Sequence, residues 1–205
     1  MNFFNAVFFT LIFGFLSHTT FAQCYSYCSG YYYDKEGNKH EGKFKIVNAG
    51  YSLFSGYTTS IKFNPDIKGA KKVRLRVKDM TAFVQGMDSF CLIPNVKYSF
   101  SRKPFKEDFC KVLQIGAIDL YEHISKSGDG QFNYTWITYI ARKKGSEEFV
   151  SFYDRVQQYE LLRMIEYEPE LHAELKAIRP GKWMEEIPRI VKDYNRKKKY
   201  AKIEP

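Results

Sequence analysis

The spacing of apolar residues changes once along the chain, close to Tyr153. Before this point apolar and charged residues alternate, most clearly in segment 71–79, where the apolar positions are Val73, Leu75 and Val77. A two-residue period is typical of a strand with one buried and one solvent-facing side. After Tyr153 apolar residues recur every three or four positions, which indicates helices. Strands followed by helices, without alternation, predict an α+β fold with segregated layers.

The predicted arrangement is an antiparallel β-rich region over residues 30–153, made of hairpins in a sheet that can curl. About three helices follow over residues 154–199, with a basic tail at 196–205. Because we find no internal repeat or low-complexity linker, we expect one domain.

Two prolines indicate where the later helices begin. Pro169 is expected in the first turn of the second helix, where its missing N–H costs nothing. Pro188 is tolerable only in a first turn, so we expect the third helix to begin near Glu186.

The first 22 residues have the features of a signal peptide. Residues 3–16 form an apolar run that is too short to span a bilayer comfortably, although no Lys or Arg precedes it. Thr20 and Ala22 are small residues suited to cleavage before Gln23. We therefore expect a periplasmic or secreted domain over residues 23–205, without a transmembrane helix. The alternative is a lipoprotein modified at Cys24.

Four cysteines follow the predicted cleavage site: Cys24, Cys28, Cys91 and Cys110. Export to an oxidising compartment permits two disulfides, and four cysteines allow three connectivities. We favour pairing of Cys91 with Cys110, and of Cys24 with Cys28. The spacing of Cys24 and Cys28 does not match a redox or zinc motif, so we expect neither a metal nor a cofactor.

The formal net charge of +9 favours acidic partners. Two basic segments are candidates for the binding site, a strand stripe of Lys72, Arg74, Arg76 and Lys78 and a tail containing Arg196, Lys197, Lys198, Lys199 and Lys202. The expected partner is an anionic envelope component, either a lipid head group or a glycan, or another envelope protein; an exported chain rarely meets nucleic acid. The alternatives are that the stripe protects an edge strand and that the tail complements a helix dipole.

Catalytic motifs are absent from the sequence. It contains no nucleophile elbow, no phosphate-binding glycine loop and no H-E-x-x-H helix. His40 beside Glu41 and His123 beside Glu122 could together bind a metal or move a proton, but turn and strand-end positions favour a surface role. We therefore expect a non-enzymatic binding domain.

Two other functions stay open. One is a hydrolase acting on a wall or glycan substrate, with carboxylates gathered near residues 108–130. Convergence of Asp119, Glu122 and His123 in one concave pocket would favour it, and scattered positions would exclude it. The other is a structural subunit that pairs with a partner chain through its sheet edges.

Short glycine motifs open the predicted domain: Gly30-Tyr31, Gly37-Asn38 and Gly42-Lys43-Phe44. They resemble the "G-Y … G-D … G-K-I" opening of small exported proteins of unknown function that are abundant in Bacteroidota. Segments 79–83 (DMTAF), 116–121 (GAIDLY) and 191–195 (VKDYN) are similar to later parts of the same family. The resemblance covers roughly residues 30–195 and implies a shared fold. It implies no catalytic residue, and Asn38 stands where the family has Asp.

Overall fold

The computed structural model describes residues 27–51, 56–65, 69–97, 105–128, 133–165 and 168–200. The predicted leader, Cys24 and Lys202 lie outside these described residues.

The described β-region contains twelve strands. Their bounds are β1 (Cys28–Asp34), β2 (Lys39–Val47), β3 (Ala49–Tyr51), β4 (Gly56–Tyr57), β5 (Ser60–Pro65), β6 (Val73–Arg76), β7 (Met80–Gln85), β8 (Asp88–Val96), β9 (Phe105–Gln114), β10 (Ile118–Gly128), β11 (Asn133–Lys143) and β12 (Val150–Phe152).

Ten of the strands form one antiparallel path in the order β12-β11-β10-β9-β8-β7-β1-β2-β5-β6. The path is open, because its two ends, β12 and β6, do not pair with each other. The short β3 lies off the path, where it pairs in parallel with β10 and antiparallel with β4. The predicted α+β class with an antiparallel β-rich region is confirmed.

Three helices follow the sheet: α1 (Gln158–Met164), α2 (Pro169–Ala177) and α3 (Trp183–Tyr200). Pro169 occupies the start of α2, as predicted. None of the helices within the described ranges combines the length and the apolar character needed to cross a membrane.

The predicted start of α3 near Glu186 is wrong. The helix begins at Trp183 and contains Pro188 in its interior. Trp183 is buried, and its indole N–H donates to the carbonyl of Asp154, 3.1 Å away. The buried Trp183 anchors the first turn, so the helix begins before Pro188 although proline is a poor helix former. The Pro188 carbonyl accepts a hydrogen bond from Gln114 Nε2.

Two large apolar clusters lie on the same face of the sheet. One packs β10, β11 and β12 against the three helices, with Leu120, Phe152, Leu175, Trp183 and Ile187 among its buried members. The other lies at the opposite end of the sheet and joins Phe44, Ile61, Phe63 and Leu75 to Phe83 and Phe109. Because this second cluster joins the β6 end of the path to β7 and β9, the sheet curls over its own face without closing.

Asn195 holds α3 against the first residue of β10. Its Oδ1 accepts the backbone N–H of Ile118, and its Nδ2 donates to the Ile118 carbonyl, both at 2.8 Å. A Cβ on Gly116 would lie 2.5 Å from the Asn195 side chain, so glycine is needed for this close approach. The segments 116–121 and 191–195, which carry two of the family-like motifs, therefore meet in the fold.

Candidate binding face

A row of three cations crosses three neighbouring strands. Lys45 on β2 lies directly opposite Lys62 on β5, and Lys62 lies directly opposite Arg74 on β6. Adjacent strands are about 5 Å apart, so the backbones beneath these charges are close. Lys43 on β2 and Arg76 on β6 are exposed on the same side. We call these five residues the basic face.

The alternation of side chains explains how the basic face forms. In β2 the exposed lysines flank Phe44, which is fully buried, and in β5 and β6 Phe63 and Leu75 are buried beside exposed Lys62 and Arg74. Since successive side chains of a strand point to opposite sides, burial of this aromatic core places every intervening cation in solvent.

The cations of the basic face have no ion pair with any of the described residues. Arg74 is held in place by one neutral contact, because its Nε donates to Ser60 Oγ at 3.0 Å. Glu41, two residues before Lys43, pairs with Lys39. Asp79, three residues after Arg76, uses its Oδ2 to accept the backbone N–H of Arg76. The face is therefore positively charged and uncompensated within the described chain.

The predicted strand over residues 71–79 is shorter than expected. β6 ends at Arg76, and a 3-10 turn follows over Val77–Asp79. The turn forms because the Asp79 carboxylate accepts the Arg76 N–H, so Lys78 is not part of the strand. Lys72 precedes β6, with its ammonium 5.6 Å from the centre of the Tyr27 ring. Only the middle of the predicted stripe, Arg74 and Arg76, therefore lies on the strand.

The basic tail differs from the basic face because three of its cations, Arg196, Lys197 and Lys198, have acidic partners. Lys197 Nζ lies 2.6 Å from Glu170 Oε2, Lys198 Nζ lies 2.8 Å from Glu168 Oε1, and Arg196 pairs with Asp193. The ion pairs raise the pKa of Lys197 and of Lys198, chiefly through the hydrogen bonds to the two glutamates. The two lysine contacts link α3 to the start of α2, and the Arg196 pair lies within α3, which favours a structural role for these three residues.

His40 pairs with Asp34 and not with a neighbouring glutamate. His40 Nε2 lies 2.8 Å from Asp34 Oδ2, and this hydrogen bond is the largest cause that lowers the Asp34 pKa to about 2. Glu41 instead accepts from Lys39 Nζ at 2.6 Å. The Asp34 carboxylate also accepts the N–H groups of Glu36 and Asn38, so it closes the turn between β1 and β2.

The acidic residues and the histidine proposed for hydrolysis do not converge. Asp119 and His123 lie on one side of β10, whereas Glu122 lies on the other, opposite Tyr139. Asp119 binds Arg142 at 2.8 Å, and burial raises the pKa of Glu122. The sequence-based condition for the hydrolase hypothesis is not met. Within the described residues there is also no group of three or more His, Cys, Asp or Glu side chains able to hold a metal ion.

His123 instead forms a buried pair with Asp108 where β9 and β10 diverge. The Nε2 atom of His123 lies 2.8 Å from Asp108 Oδ2, and both side chains are fully buried. A carboxylate accepts, so we assign the ring proton to Nε2. The same carboxylate accepts the backbone N–H of Thr59 at 2.9 Å and that of Phe109 at 2.8 Å.

This buried pair fastens the segment before β5 to β9 and β10. Three buried polar atoms beside it, His123 Nδ1, Ser125 Oγ and Thr138 Oγ1, have no hydrogen-bond partner among the described residues. An acid–base catalyst must touch its substrate, and full burial denies that contact, so the geometry indicates a structural junction. Nothing in the sequence around either residue signals the pairing.

The predicted disulfide between Cys91 and Cys110 is not formed; both thiols are free. The two residues nevertheless face each other directly across β8 and β9. Burial raises the pKa of Cys91 to about 11, and it raises the pKa of Cys110 well above its ordinary value. Cys28 begins β1, and its predicted partner Cys24 lies outside the described part of the chain.

Comparison with known proteins gives no relative for this fold or this face. No family model matches the chain, and neither a curated protein sequence nor a solved structure is significantly similar to it.

Proposed function

We propose that this chain is an exported, non-enzymatic binding domain of the cell envelope that docks through its basic face onto an anionic lipid surface. The observation that carries the proposal is the unpaired row of Lys45, Lys62 and Arg74. In the same chain Arg196, Lys197 and Lys198 of α3 pair with acids, whereas the cations of this row lie opposite one another and pair with no described acid.

Repulsion among the three cations of the row destabilises the sheet, and a bound anionic ligand would remove this repulsion. Like charges directly opposite one another in a sheet destabilise it, and each such pair costs on the order of 0.2–1 kcal/mol. Lys62 takes part in two such pairs. Anionic groups placed between the cations would convert this repulsion into attraction.

The layout of the face favours a head-group layer over a single linear polymer. Its five cations are distributed along β2 and β6 and also across the three strands, so the charge extends in two directions. A layer of phosphate-bearing head groups presents charge in two directions as well. The apolar leader over residues 3–16 supports export, which would bring the domain to such a layer.

The test is sedimentation of the protein with phosphatidylcholine vesicles that contain or lack phosphatidylglycerol. A row variant, K45Q/K62Q/R74Q, is compared with a matched tail variant, R196Q/K197Q/K198Q, which loses the same charge. Each cation near an anionic membrane contributes about 1 kcal/mol, so we expect the row variant to bind roughly a hundredfold more weakly. The tail variant should bind nearly as the wild type does, and added salt should weaken wild-type binding.

Three outcomes would overturn the proposal. The first is failure of the wild type to sediment with anionic vesicles. The second is an equal loss in both variants, because net charge alone would then explain the binding. The third is retention by a soluble acidic polysaccharide without retention by vesicles, which would assign the face to a glycan.

A further inference from the structure

Cys91 and Cys110 are placed as a cross-strand pair. Cys91 on β8 lies directly opposite Cys110 on β9, with Phe90 opposite Lys111 and Leu92 opposite Phe109 on either side. Directly opposed residues of antiparallel strands have Cα atoms about 4.5 or 5.5 Å apart. Disulfides form at Cα separations of about 4.4–6.8 Å, so the backbone already meets this requirement.

We propose that Cys91 and Cys110 are a modification site at which thiol–disulfide exchange forms a bond between β8 and β9. The oxidant is a reactive disulfide, either a small one such as oxidised glutathione or the active-site disulfide of an oxidoreductase. This inference rests on the register of the two strands and is independent of the function of the basic face.

The exposure of the two thiols sets the order of the steps. Cys110 is fully buried, whereas Cys91 is partly exposed, so an external disulfide can reach only Cys91. The Cys91 thiolate attacks one sulfur of the oxidant, which forms a mixed disulfide and releases the first thiol of the oxidant. The Cys110 thiolate then attacks the Cys91 sulfur, which forms the internal bond and releases the second thiol. In total the protein loses two protons and two electrons, and the oxidant disulfide becomes two thiols.

The surroundings indicate a structural bond and not a catalytic redox centre. Catalytic cysteines have lowered pKa values, whereas burial raises the pKa of both thiols here. Formation of the disulfide between Cys91 and Cys110 should therefore be slow at neutral pH and faster at alkaline pH. The bond would lie two residues from Asp108, so it would close the β8–β9 hairpin next to the buried junction with His123.

The experiment uses the full chain carrying C24S and C28S, in which Cys91 and Cys110 are the remaining cysteines. The reduced protein is incubated with oxidised glutathione, quenched in acid, denatured and alkylated, and its mass is measured. We expect a species that is two hydrogen masses lighter, carries no alkyl group and yields one linked peptide containing both residues. This species should unfold several degrees above the reduced form, because the cross-link restricts the unfolded chain.

Two single variants show whether the pair acts as described. In C110S the mixed disulfide at Cys91 should persist, because nothing can resolve it. In C91S the buried Cys110 should stay free of glutathione until the protein unfolds. The proposal is overturned if both thiols of the folded parent remain fully alkylatable, if glutathione stays on Cys91 in the parent, or if the oxidised form is no more stable than the reduced form.

Discussion

Lys62 has a lysine directly opposite it on one side and an arginine on the other, and no described acid neutralises any of the three. Its aliphatic stem can cover neighbouring strand surface, so the unfavourable part of the residue is its charge. At such a position the positive charge is expected to favour ligand binding and to lower the stability of the fold.

We predict that Lys62→Gln raises the free energy of unfolding by about 0.5 kcal/mol, since it removes two like-charge contacts and keeps most of the stem. Urea denaturation of the wild type and the variant measures the change. Lys197→Gln is the control, because this lysine has an acidic partner in Glu170 and its loss should give no gain. If Lys62→Gln is no more stable than the wild type, repulsion between the cations of the row does not destabilise the sheet.

The lowered pKa of Asp34 indicates how the β1–β2 turn responds to pH. Its pKa is lowered to about 2, first by the hydrogen bond from His40 and then by hydrogen bonds from Asn38. A depressed carboxyl pKa contributes stability that is present above the unfolded value near 3.8 and is lost as pH falls through about 2. Because Asp34 lies in a surface turn and its side chain keeps partial access to solvent, the effect is on the turn more than on global stability.

The measurement for Asp34 is an NMR titration of its carboxyl carbon. We expect a midpoint near 2 in the wild type and a return towards 3.8 in His40→Ala. If the midpoint is unchanged in His40→Ala, the imidazole is not the main cause of the shift.

At the scale of elements, Asn195 makes the polar contacts that join α3 to the start of β10. Asn195 satisfies both backbone groups of Ile118, which is fully buried. We predict that Asn195→Ala lowers the free energy of unfolding by about 2–3 kcal/mol, because the backbone N–H and C=O of Ile118 lose their partners in a buried site. Thermal and urea denaturation measure the loss.

Asn195→Asp serves as the graded control for this contact. A carboxylate can still accept from the Ile118 N–H, but it cannot donate to the carbonyl. An intermediate loss of stability is expected. Equal stability of the wild type and Asn195→Ala would show that α3 is held by its apolar side alone.

The element types could be predicted from the sequence, whereas the sites depend on strand pairing. Alternating residues identified the strand that contains Arg74, and the helical period identified α2. The pairing register that places Lys45, Lys62 and Arg74 in one row cannot be recognised from the local sequence. The reason is that β2 and β6 are separated in the chain and are joined only through β5. The Asp108–His123 pair was missed for the same reason, since the two residues are 15 positions apart and lie on different strands.

Some errors came from local rules that the tertiary structure overrides. Pro188 predicted a later start for α3, but burial of Trp183 extends the helix towards its N-terminus. The alternation over 71–79 predicted a strand through Lys78, but Asp79 accepts the Arg76 N–H and ends the strand. In both places one specific contact outweighs a local sequence rule.

At the scale of the whole molecule, the open sheet path ends at β6 and at β12. β6 has four residues, two of them exposed arginines, and β12 has three. Short edges and edge cations oppose pairing between sheets of different molecules. Arg74 and Arg76 belong both to the basic face and to the edge strand β6.

We predict that the chain is monomeric at micromolar concentration, and light scattering after size-exclusion chromatography measures this. Arg74→Val combined with Arg76→Val should promote self-association by giving β6 an apolar, uncharged edge. A dimer of the wild type that persists in high salt would favour the structural-subunit hypothesis instead.

The sheet is complete only after β1 has paired with β7, a strand that is distant from it in the sequence. β1 lies between β2, its neighbour in sequence, and β7, so Gly30 pairs with both Gly42 and Gln85. The β1–β2 and β7–β8 hairpins involve nearby residues, whereas joining them requires closure of a long loop. Such non-local pairings slow folding, so the two halves of the sheet should exist as separate hairpins before they join. A Cβ on Gly30 would lie 2.0 Å from the Val84 carbonyl oxygen, so the residue at this junction must be a glycine for the two hairpins to come together.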